Sequence, residues 1–113
     1  MKSFNPFATL LSALVLSLIA FSSQAAVDVA AAEALAKKSN CLKCHSVDKK
    51  KDGPAYKEVA AKYKGNPDAE KKLFIHVTTN PTVKIDGKEE KHESLKTKDD
   101  AEIRNVIGWI LSR

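Results

Sequence analysis

Two cysteines and the histidine that follows them are the most chemically distinctive residues of this sequence. They form the segment Cys41-Leu42-Lys43-Cys44-His45, and the chain has no other cysteine. This spacing is typical of covalent haem attachment. On one helical turn both thiols can bond to vinyl groups at the same edge of a porphyrin, and the imidazole of His45 can then reach the iron. The segment predicts one haem c bound through Cys41 and Cys44, with His45 as an iron ligand.

Three other uses of the two cysteines compete with haem attachment. An oxidising compartment would permit a disulfide. A thioredoxin-like redox pair would need a βαβ pattern around it, and none is present. A zinc site could combine the cysteines with His45 and either His76 or His92. Zinc would leave the small core unexplained, and adjacent Cys44 and His45 suit one tetrahedral ion poorly, so haem attachment remains the prediction.

The first 25 residues have the pattern of a secretory signal peptide. A basic start at Lys2 precedes an apolar run over residues 10–21, and Ser23-Gln24-Ala25 supplies small residues for cleavage. The apolar run is short for a membrane span. The sequence therefore predicts a cleaved signal peptide at 1–25, a single domain at 26–113, export to the periplasm and no stable membrane insertion.

The mature domain is small and poor in large apolar side chains. Its aromatic residues are Tyr56, Tyr63, Phe74 and Trp109. Such a chain buries little apolar surface, and small domains often take their missing stability from a cofactor. A haem would supply that apolar mass, so we expect the protein without haem to be largely unfolded.

The charge balance favours a protein partner over nucleic acid. Without Lys2, 18 Lys and Arg face 14 Asp and Glu, a net charge of +4, and two haem propionates would lower it to about +2. This excess is too small and too interleaved for nucleic-acid binding. Lysines nevertheless concentrate near the attachment segment: Lys37, Lys38, Lys43, Lys49, Lys50 and Lys51. They predict docking of a redox partner with an acidic patch, although an ordinary solvated surface would look the same.

Apolar periodicity predicts four helices and no clear strand. Their expected limits are Asp28 to Ser39, Pro54 to Gly65, Asn66-Pro67 to Asn80-Pro81, and a last helix after Thr97. Asp28 is expected to cap the first helix, and Thr97 with Asp100 has the form of a capping box. The intervening residues 81–97 are predicted to be a long polar loop, which in a small domain is usually functional or disordered. This loop contains His92.

Two segments resemble small bacterial class I cytochromes c. The first is Gly53-Pro54-Ala55-Tyr56-Lys57-Glu58-Val59-Ala60-Ala61-Lys62-Tyr63, and the second is Val106-Ile107-Gly108-Trp109-Ile110-Leu111-Ser112. The resemblance covers nearly all of residues 28–113. It implies an all-α class I cytochrome c fold, four helices around one haem, with Ala36 or Leu35 packed near Trp109. It also implies that Pro54 and Trp109 contribute to the haem site and that the Pro54 carbonyl accepts a hydrogen bond from His45.

The sequence departs from this family at the second axial ligand. The family places a methionine on the loop before the last helix, whereas the only methionine here is Met1, in the signal peptide. His92 lies 17 residues before Trp109, within one residue of the position expected for that methionine. We therefore predict His45 and His92 as the two iron ligands. The remaining alternatives are a solvated His92 with an open or water-bound iron, or ligation by His76, Lys88, Lys91 or Asn80.

Together these features predict a monomeric, monohaem, periplasmic single-electron carrier that is not an enzyme. Methionine ligation raises a haem potential, so two imidazoles should give a lowered one. A gas-binding or other ligand-binding haem protein with a labile sixth position remains an alternative. A small haem subunit of a larger oxidoreductase complex is another.

Overall fold

A computed structural model describes residues 26–113, so the predicted signal peptide at 1–25 lies outside the described residues. The elements are α1 (Val29–Lys38), α2 (Cys41–Cys44), α3 (Tyr56–Tyr63), α4 (Ala69–Thr78), β1 (Thr82–Ile85), β2 (Lys88–Lys91) and α5 (Asp100–Leu111). The four predicted helices correspond to α1, α3, α4 and α5, and α2 is the single turn that carries both cysteines. Within residues 26–113, no helix has the length and apolar character needed to cross a membrane.

The first and last helices pack against each other and are joined at one end by a side chain. Asp28 caps α1, as predicted, by accepting a hydrogen bond from Ala31 N at 3.0 Å. Asn105 of α5 accepts from Asp28 N and donates to Asp28 O, both at 2.8 Å. Ala32 and Ala36 are fully buried, and their small side chains let α1 approach α5 closely. This contact holds Trp109 in the interior.

The apolar stripe of α5 is as predicted, but its N-terminal cap is not. Ile103, Val106, Ile107 and Ile110 are buried. The capping box predicted for Thr97 and Asp100 is wrong, because Asp99 is the N-cap and accepts from Glu102 N at 3.0 Å. The Thr97 hydroxyl instead contacts the Glu102 carboxylate and accepts from Asp99 N at 3.1 Å. The helix therefore starts later than the Thr97 pattern indicates.

A β-hairpin occupies most of the segment that was predicted to be a loop. Strands β1 and β2 pair antiparallel, with Thr82 opposite Lys91 and Ile85 opposite Lys88. Asp86 and Gly87 form the turn with φ of 50° and 79°, which is the conformation that favours Asp-Gly in two-residue hairpins. The strands are four residues long and charged, so their periodicity is weak. The Asp-Gly pair was the sequence signal for this hairpin.

Candidate haem site

The two cysteines lie on a short turn whose start is set by Asn40. Asn40 has the left-handed φ of 62°, and His45 N donates to Cys41 O at 3.0 Å at the end of the turn. Both cysteines are free and half-buried, so they do not form a disulfide in this structure. Burial is the main cause that raises the pKa of the Cys41 thiol. Cys41 and Cys44 are therefore free thiols at half-buried positions on the same turn.

His45 is held in one orientation by three neighbours. Its Nδ1 lies 2.7 Å from the carbonyl oxygen of Pro54, so the expected hydrogen bond is present. Since a carbonyl only accepts, Nδ1 carries the proton and Nε2 is left with a free lone pair. The ring of Tyr56 stacks on His45 with centroids 5.1 Å apart. The backbone of Gly53 also lies so close that a β-carbon there would be 2.5 Å from His45 Cε1.

His92 directly follows β2, and the base of the hairpin clamps its backbone. His92 N donates to Pro81 O at 2.8 Å, and Asn80 Nδ2 donates to His92 O at 3.0 Å. Leu95 N then donates to Val77 O of α4 at 2.9 Å. The hairpin thus brings His92 back to the interior from an otherwise charged, exposed segment.

The separation of the His45 and His92 rings matches the distance that a metal ion with two imidazole ligands requires. Their centroids are 6.0 Å apart and their planes are tilted by 54°. A metal–imidazole bond is about 2 Å long, and a ring nitrogen lies about 1.1 Å from its centroid. An iron between two imidazoles therefore separates the centroids by about 6 Å. These two residues fit the axial positions of a haem iron.

The electrostatics keep His92 in the form that binds metals. Burial, followed by the nearby His76 and His45, lowers the pKa of His92 to about 4. A neutral imidazole is the metal-binding form of histidine. Burial also lowers the pKa of His76, whose ring centroid is 4.2 Å from that of His92. All three histidines of the chain therefore lie together at this site.

Two buried nitrogens at the site lack protein partners. Within residues 26–113, neither His92 Nδ1 nor Trp109 Nε1 has a hydrogen-bond partner. The indole nitrogen can only donate, so it fits a bound group that carries acceptor oxygens, as haem does in its two propionates. The ring of Tyr56 meets Trp109 edge-on at 5.3 Å. Trp109 is thereby linked through Tyr56 to His45.

The lysines of the predicted cluster are exposed to solvent. Lys51 Nζ donates to Leu42 O at 2.8 Å, which places its charge beside the cysteines. Leu42, between them, is 37% exposed. Asp48, which could neutralise the cluster, pairs with Lys57 of α3. The surface next to the attachment segment therefore includes an exposed apolar side chain, Leu42, and the charge of Lys51.

The zinc alternative is not supported by the positions of the side chains. Over residues 26–113, no group of three or more His, Cys, Asp or Glu side chains is arranged to hold a metal ion. A structural zinc site needs four such ligands. An iron held mainly by a porphyrin needs at most two axial ligands from the protein.

Comparison with known proteins places the chain in a family. Residues 29–113 match the cytochrome c family, and the chain belongs to it. Cytochrome c-551 of Stutzerimonas stutzeri is 40% identical over 80 residues, which are 71% of this chain and 74% of that protein. Cytochrome c-551 of Allochromatium vinosum is 54% identical over 43 residues, so the match spans only 46% of that protein.

Solved structures agree with this assignment. The class 1 cytochrome MtoD from Sideroxydans lithotrophicus ES-1 is 54% identical, with a TM-score of 0.74, over 77% of this chain and 97% of that chain. Cytochrome c552 of Nitrosomonas europaea has 32% identity and a TM-score of 0.56. The class I cytochrome c fold and the single covalently bound haem c are thereby confirmed, and Cys41 and Cys44 fit the attachment motif.

Sequence reasoning missed three features of the site. The close approach of Gly53 to His45, the clamp on His92 by Asn80 and Pro81, and the contact of His76 with His92 all depend on tertiary structure. From the sequence, His76 was only one of several alternative ligands. In the structure its ring is in contact with the ring of His92, so His76 forms part of the site.

Proposed function

We propose that this chain is a periplasmic one-electron carrier whose haem c is bound by Cys41 and Cys44 and has His45 and His92 as axial ligands. The observation that carries the proposal is the 6.0 Å separation of the two imidazole centroids, which suits an iron between them. When bound, the haem supplies the one-electron chemistry. The protein residues supply ligation and surroundings that need not change with the redox state.

The neighbours of both histidines suit such a role. His45 is oriented by the Pro54 carbonyl and by contact with Gly53 and Tyr56. The backbone of His92 is held at the hairpin base. Ligands that are fixed on both faces keep the geometry similar in the oxidised and reduced states, and outer hydrogen bonds of this kind tune a metal centre. Two such ligands also leave the iron no open position for a substrate.

The ligand pair determines whether the redox potential lies above or below that of family members with methionine ligation. Methionine ligation raises a haem potential, and axial ligands act over a total range of about 0.8 V. We propose a lowered potential for this protein because His92 takes the place of methionine. The electron donor must then have a similarly low or lower potential, whereas the acceptor needs only a higher one.

Export and docking complete the proposal. Residues 1–25 would direct the chain to the periplasm and be removed. The exposed Leu42 with Lys51 beside it would face an acidic patch on a redox partner, since complementary charge accelerates encounter. We propose a monomer that meets its partners transiently.

Substitution of His92 tests the ligation. The reduced wild-type holoprotein should show a low-spin spectrum that carbon monoxide leaves unchanged. In His92→Ala the spectrum should become high-spin and carbon monoxide should bind, because the sixth position is then open. His92→Met should restore a low-spin spectrum with a raised midpoint potential. Redox titration and absorption spectra measure these changes.

Substitution of the neighbouring Lys91 provides the control for this test. Lys91→Ala removes a side chain that hydrogen-bonds Thr82 Oγ1 and should leave spectrum and potential unchanged, which separates His92 from a ligating Lys91. Fast binding of carbon monoxide by wild-type protein, with no spectral change in His92→Ala, would refute the proposed ligation. It would favour a ligand-binding haem protein instead.

A further inference from the structure

We propose that His76 is a positioning residue that orients the ring of His92 and so keeps the sixth coordination position of the iron closed. The inference rests on the proposed function, since it requires His92 to be an axial ligand. It starts from the contact between the two rings, whose centroids are 4.2 Å apart with planes tilted by 54°.

The distance identifies the contact as ring packing and not as an in-plane hydrogen bond. Two imidazoles joined by a linear N–H···N bond of about 2.9 Å would have centroids about 5 Å apart. The observed 4.2 Å is shorter, so the two tilted rings are in van der Waals contact. Rotation of the ring of His92 about its Cβ–Cγ bond is intrinsically soft. A ring packed against it restricts that rotation.

The ring of His92 needs this packing contact because it lacks the well-formed hydrogen bond that usually orients a metal-binding histidine. A histidine that binds a metal nearly always donates its other ring N–H to a fixed acceptor. His45 does so to Pro54 O, whereas His92 Nδ1 forms no hydrogen bond of normal geometry within the described part of the chain, where a weaker interaction links the ring to the Glu93 backbone. The hydrogen bonds of Asn80 and Pro81 reach only the backbone of His92, so they leave its ring free to turn.

Helix α4 holds His76 at a fixed position relative to His92. Val77 is buried, and its carbonyl accepts from Leu95 N, three residues after His92, at 2.9 Å. The segment that carries His92 is thus tied to the residue next to His76. The two imidazoles are held together by backbone contacts that do not depend on either ring.

Two substitutions separate ring packing from a general effect on the fold. His76→Leu removes the planar ring, whereas His76→Phe keeps a planar ring without the nitrogens. In the oxidised holoprotein, electron paramagnetic resonance reports the angle between the two axial imidazole planes. His76→Leu should alter that signal and raise the apparent affinity of the reduced protein for carbon monoxide by about 10- to 100-fold, the range for loss of an outer partner of a metal ligand. His76→Phe should stay close to wild type, and so should Ile75→Ala, a change at an exposed neighbour on the same helix.

The outcomes are distinguishable from failure of the proposed function. If wild type is low-spin and His92→Ala opens the iron, but His76→Leu changes neither signal nor affinity, the positioning role is wrong while the ligation stands. Equal effects of His76→Leu and His76→Phe also overturn it. A His92→Ala protein that stays low-spin until His76 is also replaced would make His76 the ligand and overturn it too.

Discussion

Gly53 offers the sharpest test of how the backbone fixes His45, the proposed iron ligand. A β-carbon built on Gly53 lies 2.5 Å from His45 Cε1, 2.9 Å from Nδ1 and 3.0 Å from Nε2. Gly53 does not have a positive φ, so alanine is compatible with its backbone. The effect of Gly53→Ala is therefore steric and is directed at one ring.

The size of the effect follows from these distances. Relief of the 2.5 Å contact to an ordinary 3.4 Å moves the ring or the backbone by at least about 0.9 Å. Applied along the bond, that displacement would lengthen the 2.7 Å contact of His45 Nδ1 with Pro54 O to about 3.6 Å, which is no longer a hydrogen bond. Overpacking of this kind costs about 1–3 kcal/mol, a large part of a total stability of about 5–15 kcal/mol.

Urea unfolding and redox titration of the holoprotein measure this prediction. Gly53→Ala should lower the free energy of unfolding by about 1–3 kcal/mol and shift the midpoint potential, because the imidazole loses its fixed acceptor. The control is Gly65→Ala, at φ 73° with no atom within 4 Å of the added carbon. It should destabilise by about 1 kcal/mol through backbone strain alone and leave the potential unchanged. A Gly53→Ala protein with wild-type stability and potential would refute the argument.

Two further predictions concern stability. Ser39 is fully buried and its hydroxyl accepts a hydrogen bond from Lys96 N at 2.8 Å, so Ser39→Ala should lower the free energy of unfolding in urea by about 1–3 kcal/mol and leave the haem spectrum unchanged. The control is Ser46→Ala, which loses only a 3.4 Å contact with Lys49 N. Equal losses in the two variants would contradict a stabilising role of the buried Ser39 hydrogen bond. Burial is the main cause that lowers the pKa of His92 from an ordinary 6.5 to about 4, and iron ligation in the holoprotein would lower it further. The unfolded state therefore binds more protons below about 6.5, and the free energy of unfolding of the holoprotein should fall as pH decreases from about 6.5 to about 4 and below. His92→Ala should show a smaller fall over that interval, and an identical pH dependence would count against the assignment.

Local chemistry determined much of this protein from the sequence alone. The cysteine spacing and the adjacent His45 specify haem attachment within a single turn, where no distant residue is needed. The same holds for the Asp28 cap and the apolar stripe of α5, since each involves residues within a few turns of one helix. These features depend on short-range geometry, which a sequence pattern describes directly.

Tertiary structure decided which groups meet His45. Three histidines are visible in the sequence, but only the fold of the hairpin back onto α4 places His92 at 6.0 Å from His45 and 4.2 Å from His76. The approach of Gly53 to His45 likewise depends on how the segment after the attachment turn folds back. Such contacts join residues distant in the chain through backbone hydrogen bonds, and periodicity along a sequence carries no information about them. The physical reason is that a ligand's position is set by everything packed around it, not by its own neighbours in the chain.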